Sequence, residues 1–288
     1  MRTFYPKRLS TFERCPEQFY FEFVDKRPKP IMPYDAPQER GRVIHTILSG
    51  IANEFRKTTV LPSNVMGRAS AALDRKHYST DDEWQNDVEI IANGVAFGLN
   101  VFDDKVQILA SESYLEYPHE QDDECPSFVL GAKPDLVMLR CDEDGLYFFD
   151  IVDFKSGKGY SDSIQEIATR IVVKRNSKRF QAPFNYIRTT IVRTEAAATD
   201  SKVLDPEDCQ YRWQLIKKLV NEIAQTYDWK PKKNWSCRTC PYRACGCTLD
   251  PREFDNDESL PPNMPTSSAT GLMASTTSPP TETAPPPA

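Results

Sequence analysis

Asp135 and Asp153 stand eighteen residues apart and bracket a stretch with the chemistry of a β-hairpin, and this pairing constrains the chain more than any other feature. Leu136 to Leu139 reads as one strand, Asp142-Glu143-Asp144-Gly145 supplies turn residues, and Leu146 to Phe154 reads as the return strand. Pairing of the two strands would bring Asp135 against Asp153. Successive side chains of a strand project to opposite faces, so Asp153 and Lys155 share a face. Asp150, three residues before Asp153, faces the other way and reads as a strand-start residue.

Two carboxylates and an ammonium on one surface suit a divalent cation and a phosphate. Mg²⁺ and Mn²⁺ are hard ions that favour carboxylate oxygens, and such an ion activates water and offsets the charge that builds on phosphorus. Asp135 and Asp153 are the natural ligands, with Lys155 as a positive point charge beside the attacking water or the phosphate. The pattern points to hydrolysis of a phosphodiester by one-step attack of water.

Arg42 to Lys57 places Ile44, Ile47, Leu48, Ile51 and Phe55 on one helical face, and His45 borders it. A histidine there is either a packing residue or, if the helix crosses the sheet near Asp135, a nitrogen ligand better suited to Mn²⁺ than to Mg²⁺. Further helices are expected over about 11–24 (Phe12, Cys15, Phe19, Tyr20, Phe23), over Trp84 to Phe102, from Asp162 onward, through Gln181 to Val192 and from Pro206 to Asp228. Strands are expected over Val106 to Tyr117, Phe128 to Arg140 and Tyr147 to Lys155. Helices therefore flank a small central sheet on both sides in sequence, which argues for a single α/β domain without repeats.

The cysteines form a second constellation, Cys237, Cys240, Cys245 and Cys247 near the end with Cys15 near the beginning. Thiolates at this spacing suit an iron–sulfur cluster or structural Zn²⁺. A compact zinc knuckle could use Cys237, Cys240, Cys245 and Cys247 alone, leaving Cys15 in the core. Cys125, Cys141 and Cys209 are isolated and read as buried thiols.

Nine of the 23 prolines fall in 251–288, where no periodicity survives, so the chain reads as a domain over 1–250 and a disordered Pro/Ser/Thr-rich tail over 251–288. Residues 1–250 carry 35 basic and 37 acidic side chains, so a nucleic-acid partner would have to be met by local patches, of which Lys174, Arg175, Lys178 and Arg179 is the strongest. No apolar leader or stretch of membrane-spanning length is present, and a cytoplasmic protein is expected. A reducing compartment makes disulfides the poorer reading of eight cysteines.

Taken in order, these residues resemble the RecB-like branch of the PD-(D/E)XK nucleases, in particular its cluster-bearing members such as the CRISPR-associated adaptation exonucleases and the AddB-type repair nucleases. The likeness runs over about residues 7–247: Leu9 to Tyr20 around Cys15, Gly41-Arg42-Val43-Ile44-His45, Pro134-Asp135, Asp153-Phe154-Lys155-Ser156-Gly157, Gln181 and the terminal cysteines. It implies a restriction-endonuclease-like core with the cysteine cluster packed on the N-terminal helix. It also implies that His45, Asp135 and Asp153 hold the metal, that Lys155 assists the nucleophile, and that Gln181 contacts the site from a following helix. A 4Fe-4S cluster would take Cys15, Cys237, Cys240 and one more thiolate. Two departures stand out. The usual position of the last cysteine falls on Gly246, so Cys247 or, alternatively, Cys245 completes the set. The Gln-x-x-x-Tyr pattern places Asn185 where tyrosine is usual, with Tyr186 following.

The expectation is thus an Mg²⁺- or Mn²⁺-dependent deoxyribonuclease, an exonuclease on single-stranded DNA or free ends, serving DNA repair, recombination or CRISPR adaptation. The alternative is a non-catalytic DNA-binding subunit, holding a cluster or zinc, of a helicase or integrase complex.

Overall fold

The hairpin closes as its turn residues require: Gly145 adopts φ +81°, a conformation open to glycine, and Asp142 Oδ1 accepts from the N–H groups of Asp144 and Leu146. The computed structural model describes residues 2–29, 34–156, 163–203, 206–234, 237, 240–243 and 247–249. The expected tail, Cys245 and Gly157 lie outside the described residues.

Strands β1 (Arg2–Phe4), β2 (Gln107–Ser111), β3 (Leu115–His119), β4 (Phe128–Ala132), β5 (Leu136–Cys141), β6 (Tyr147–Lys155), β7 (Tyr186–Arg193) and β8 (Ala198–Val203) form two mixed sheets. Five strands run in the order β2-β5-β6-β7-β8, with β6 and β7 parallel and the other pairs antiparallel. Three more run β1-β4-β3, with β1 and β4 parallel. Leu136 faces Val152 across the hairpin, which sets Asp135 beside Asp153 at one end of the sheet.

The helices are α1 (Pro6–Arg14), α2 (Pro16–Phe19), α3 (Ala36–Thr58), α4 (Val65–Ala72), α5 (Asp81–Gly98), α6 (Ser163–Arg175), α7 (Ser177–Phe180) and α8 (Pro206–Gln225). Alternation along β5 and β6 divides the core. Leu136, Met138, Val152 and Phe154 pack with Ile44, Leu48 and Ile51 of α3 and with Ile91 and Val95 of α5. Val137, Leu139, Phe149 and Ile151 pack with α1, α6, α8 and the smaller sheet. The molecule is a mixed α/β structure consistent with the restriction-endonuclease-like fold, and no helix among the described residues is long and apolar enough to cross a membrane.

Four segments and one residue depart from the sequence expectation. The first helix starts at Pro6 and breaks at Cys15, which is extended (φ −159°), because Pro16 disfavours helical backbone at the residue before it and offers no N–H. The run Val106 to Tyr117 breaks at Glu112, whose φ is +47°, and the run Phe128 to Arg140 breaks at Lys133 to Asp135; each half joins a different sheet. Tyr186 to Arg193 is a strand where a helix was expected. Six of its eight residues are β-branched or aromatic, and α6 supplies the crossover that a strand parallel to β6 needs. Asp150 is mid-strand and 1% exposed rather than a strand-start residue: Arg188 Nη2 (2.6 Å), Thr190 Oγ1 (2.6 Å) and Arg140 Nε (3.0 Å) surround its carboxylate.

Candidate functional site

The site begins with Gly41. A Cβ there would run into Ser156 Oγ, so glycine is what lets α3 lie against the end of β6. One turn later, on the same helical face, His45 sets its ring edge-on to Phe154, centroids 6.2 Å apart, with Nδ1 3.4 Å from Asp135 Oδ2. Asp135 is held from below as well, its Oδ2 accepting the Phe154 N–H at 2.7 Å.

The broken strand after β2 brings in a residue that sequence reasoning missed. Glu112 donates its backbone N–H to Asp135 O at 3.0 Å, and its carboxylate pairs with Lys133. Nitrogen from His45 and carboxylate oxygens from Glu112 and Asp135 all lie within 4.8 Å of one another. The strand order would have found Glu112: β2 pairs with β5 so that Ser111 faces Leu136, which sets the next residue of one strand beside the preceding residue of the other.

Asp153 shares this end of the sheet with Asp135 but is engaged by Lys155, Nζ to Oδ2 at 2.8 Å. Burial pushes the Asp153 carboxyl up to about 6; the Lys155 charge pulls it back and the Asp135 charge raises it further. Burial alone would lower the His45 pKa. The hydrogen bond and charge of Asp135, with the charges of Asp153 and Glu112, overcome that and hold it above the ordinary value. The Asp153 carboxyl and the His45 imidazole thus both hold their protons more tightly beside this concentration of negative charge, which a divalent cation would offset with more charge in less space. Two oxygens and one imidazole nitrogen at close range, with a third carboxylate alongside, are donors that fit Mg²⁺ or Mn²⁺.

On the other side of β5 and β6, α6 sends Gln165, Glu166 and Thr169 into a cavity of about 20 Å³ that Lys133, Pro134, Asp135 and Asp153 also line. Gln181 does not reach it. It ends α7 with φ +51°, exposed, and the strand that follows begins opposite Phe148, at the far end of β6 from Lys155. Seven strand residues separate those ends, about 20 Å. Gln165, on the first helix after the hairpin, lines that cavity. Tyr186 donates its hydroxyl to Asp142 at the hairpin turn, 2.9 Å, again far from Lys155.

The cysteine region joins two segments far apart in sequence, residues 13–17 and 232–248. Cys15, at the break between α1 and α2, is buried and accepts the Gln18 N–H at Sγ, while Cys237 is buried and accepts the Asn234 N–H. Asn234 Nδ2 donates to Arg14 O (3.0 Å), Lys232 Nζ to Glu13 O (3.1 Å) and Thr248 N to the Glu17 carboxylate (3.2 Å). Burial raises the Cys240 thiol, and Cys15 and Cys237 add to the shift. Cys247 is pushed up to about 11 by burial, with Glu17 and Cys15 contributing. In the basic patch, Arg175 lies over the Tyr117 ring at 5.0 Å and Arg179 lines a separate cavity of about 530 Å³.

A family model described as the PD-(D/E)XK nuclease superfamily matches residues 3–247. Among curated proteins nothing matches. A solved structure described as "Crystal structure of SSO0001" is 12% identical with a TM-score of 0.38, over 86% of this chain and 88% of that chain.

Proposed function

This chain belongs to the PD-(D/E)XK nuclease superfamily, and on that premise we propose that residues 1–250 are a metal-dependent deoxyribonuclease acting as an exonuclease on DNA with single-stranded or free ends. The observation that carries the reading is the convergence of His45, Glu112 and Asp135 within 4.8 Å at the sheet end that also presents Asp153 and Lys155. His45, Glu112 and Asp135 would hold Mg²⁺ or Mn²⁺, with Asp153 alongside. When bound, the ion supplies a water of lowered pKa and neutralises charge on the phosphate.

The chain's own groups do the rest. The Phe154 N–H fixes the orientation of Asp135, and Asp153 steadies the Lys155 ammonium for a phosphate oxygen. Gln165, from α6, borders the same cavity and takes the positioning role first expected of Gln181. A non-catalytic DNA-binding subunit of a helicase or integrase complex would have no chemical use for Lys155 beside Asp153. Digestion of an end-labelled oligonucleotide in Mn²⁺ decides between the two: product ladders that vanish in Asp153→Ala and Lys155→Ala support the nuclease, and undiminished cleavage in those variants removes it. The pathway, whether DNA repair, recombination or CRISPR adaptation, and the cytoplasmic location stay part of the proposal.

For the second region the reading is a 4Fe-4S cluster on Cys15, Cys237, Cys240 and Cys247, serving as a staple between chain ends. Soft sulfur donors from both termini, raising one another's pKa, support it. Zn²⁺ at about 2.3 Å from each thiolate would draw the sulfurs to within about 4 Å of one another. Both centres take thiolate sulfur, so metal content decides between them. Iron and zinc analysis of protein purified without oxygen tests it.

A further inference from the structure

We propose that Tyr114 is a stacking platform for an unpaired base of single-stranded DNA beside the scissile phosphate; the inference rests on the nuclease reading of the neighbouring site. Tyr114 is 65% exposed, two residues after Glu112, in the short link that carries the chain from β2 to β3. Singly exposed aromatics are common on protein surfaces, and Tyr211 and Tyr227 are more exposed still. What distinguishes Tyr114 is how it is held and what it adjoins.

Its ring meets the Tyr5 ring edge-on, centroids 6.2 Å apart and planes at 74°. Tyr5 is itself seated: its ring lies over Gly131, where any Cβ would collide with it, and its hydroxyl donates to Glu116 at 3.4 Å. The link before the ring is pinned by Ser113 Oγ, which donates to Ser111 O at 3.0 Å. A buttressed aromatic loses little further freedom when a base stacks on it, which is what makes such a surface useful for binding.

Lys133 joins this platform to the metal-binding set. Its Nζ lies 5.5 Å from the Tyr114 ring centroid and pairs with the Glu112 carboxylate, and its side chain keeps 39% exposure. One cation thus stands between an aromatic face and the ligand cluster, in a chain whose formal charge is −6. A strand with its base on Tyr114 presents its backbone phosphate to Lys133 and then to the carboxylate cluster. Groups that pair a stacking ring with a nearby cation recognise single strands without regard to sequence. A base inside a duplex is covered on both faces by its neighbours and only the end pair exposes one, so the platform favours a single strand, in which any base can be turned onto the ring.

The test measures fluorescence anisotropy of a labelled oligothymidylate and of a blunt duplex of equal length, in Ca²⁺, for wild type, Tyr114→Ala and Tyr114→Phe. Tyr114→Ala should bind the single strand about tenfold more weakly, the order expected for one lost stacked base, with duplex binding unchanged and Tyr114→Phe like wild type. An oligonucleotide of abasic sites should bind wild type and Tyr114→Ala alike, a signature a merely structural role would not produce. Equal single-strand affinity in Tyr114→Ala, or equal losses on single strand and duplex, would overturn the platform. A parallel Mn²⁺ digestion keeps the two readings apart: wild type that shows Tyr114-dependent binding but never cleaves upholds the platform and removes the nuclease.

Discussion

The acidic end of the large sheet and the cysteine region are both candidate ion centres, yet they are assembled in opposite ways. Asp135, Asp153 and Lys155 are positioned by one hairpin whose register follows from its own turn. Cys15 and Cys237 are separated by most of the chain, and the segments that carry them are drawn together by bonds from Asn234, Lys232 and Thr248 to residues 13–17 and by Trp229 against Phe12 and Phe19. Local register builds a site with hard donors and excess negative charge. Contact between termini builds a site with soft donors and a structural consequence. Substitution in one region should therefore leave the readout of the other untouched.

The largest effect is expected at Lys155. Lys155→Ala removes the ammonium paired with Asp153 and should lower the cleavage rate by about 10²- to 10³-fold, as removal of a positioned charge stabiliser does. Iron content, colour and circular dichroism should match wild type. A variant that loses both activity and iron would show that the two regions are coupled, against the comparison.

Next comes Cys15→Ser. A cluster ligated by Cys15 and Cys237 closes a loop of more than 200 residues, and losing such a link costs about 3–5 kcal/mol by the chain-entropy argument. The melting temperature should fall by on the order of 10 °C, with loss of iron, while freshly prepared protein at low temperature keeps Mn²⁺-dependent cleavage. Full retention of iron would place the ligands within the C-terminal cysteines alone.

How each region could be read beforehand follows the same division. The hairpin was legible because turn residues and alternation fix which residues face each other, and His45 was legible because it borders the apolar face of its helix and closes the run Gly41-Arg42-Val43-Ile44-His45. Glu112 was not. It sits in a left-handed kink inside what reads as one continuous strand, and only the pairing of β2 with β5 brings it beside Asp135. The helix expected through Gln181 to Val192 is a strand over Tyr186–Arg193, because the preference of β-branched residues for a pleated sheet outweighed the helical spacing of Ile187 and Ile191. The cysteine spacing was visible, but nothing local announces that Asn234 would bond Arg14.

A smaller effect concerns stability against pH in metal-free protein. Asp153, pushed up to about 6, binds its proton more tightly folded than unfolded, so its contribution is complete below the ordinary value near 3.8 and is lost as pH rises through about 6. His45, held above its ordinary value, acts in the same direction: its contribution is complete below about 6.5 and lost as pH rises through the elevated folded value. Metal-free wild type should therefore be less stable at pH 8 than at pH 5. Asp153→Asn should be the more stable protein at pH 8 by about 2 kcal/mol, an advantage that shrinks toward pH 4. Denaturant titrations at the two pH values check this, and an advantage that grows on acidification would contradict the raised Asp153 pKa. Added Mn²⁺ should stabilise wild type and narrow the gap.

The smallest effect, and the one that most sharpens the contrast between a site made by register and a site made by chain ends, belongs to Glu112→Gln. Glutamine keeps the shape and the backbone bond to Asp135 but loses the charge that faces both His45 and Lys133. Mn²⁺ affinity, read by titration calorimetry, should weaken about tenfold, since one hard charged oxygen of the donor set is replaced by a neutral one. Iron content should not change. Because His45 is held above its ordinary value partly by Glu112, its titration, followed by NMR in metal-free protein, should move toward lower pH in the same variant. A variant whose Mn²⁺ affinity equals that of wild type while the His45 titration still moves would leave Glu112 as a neighbour of the metal set and not a member of it. The ligands would then be His45, Asp135 and Asp153, the set that the hairpin and the helix supply without the kinked strand.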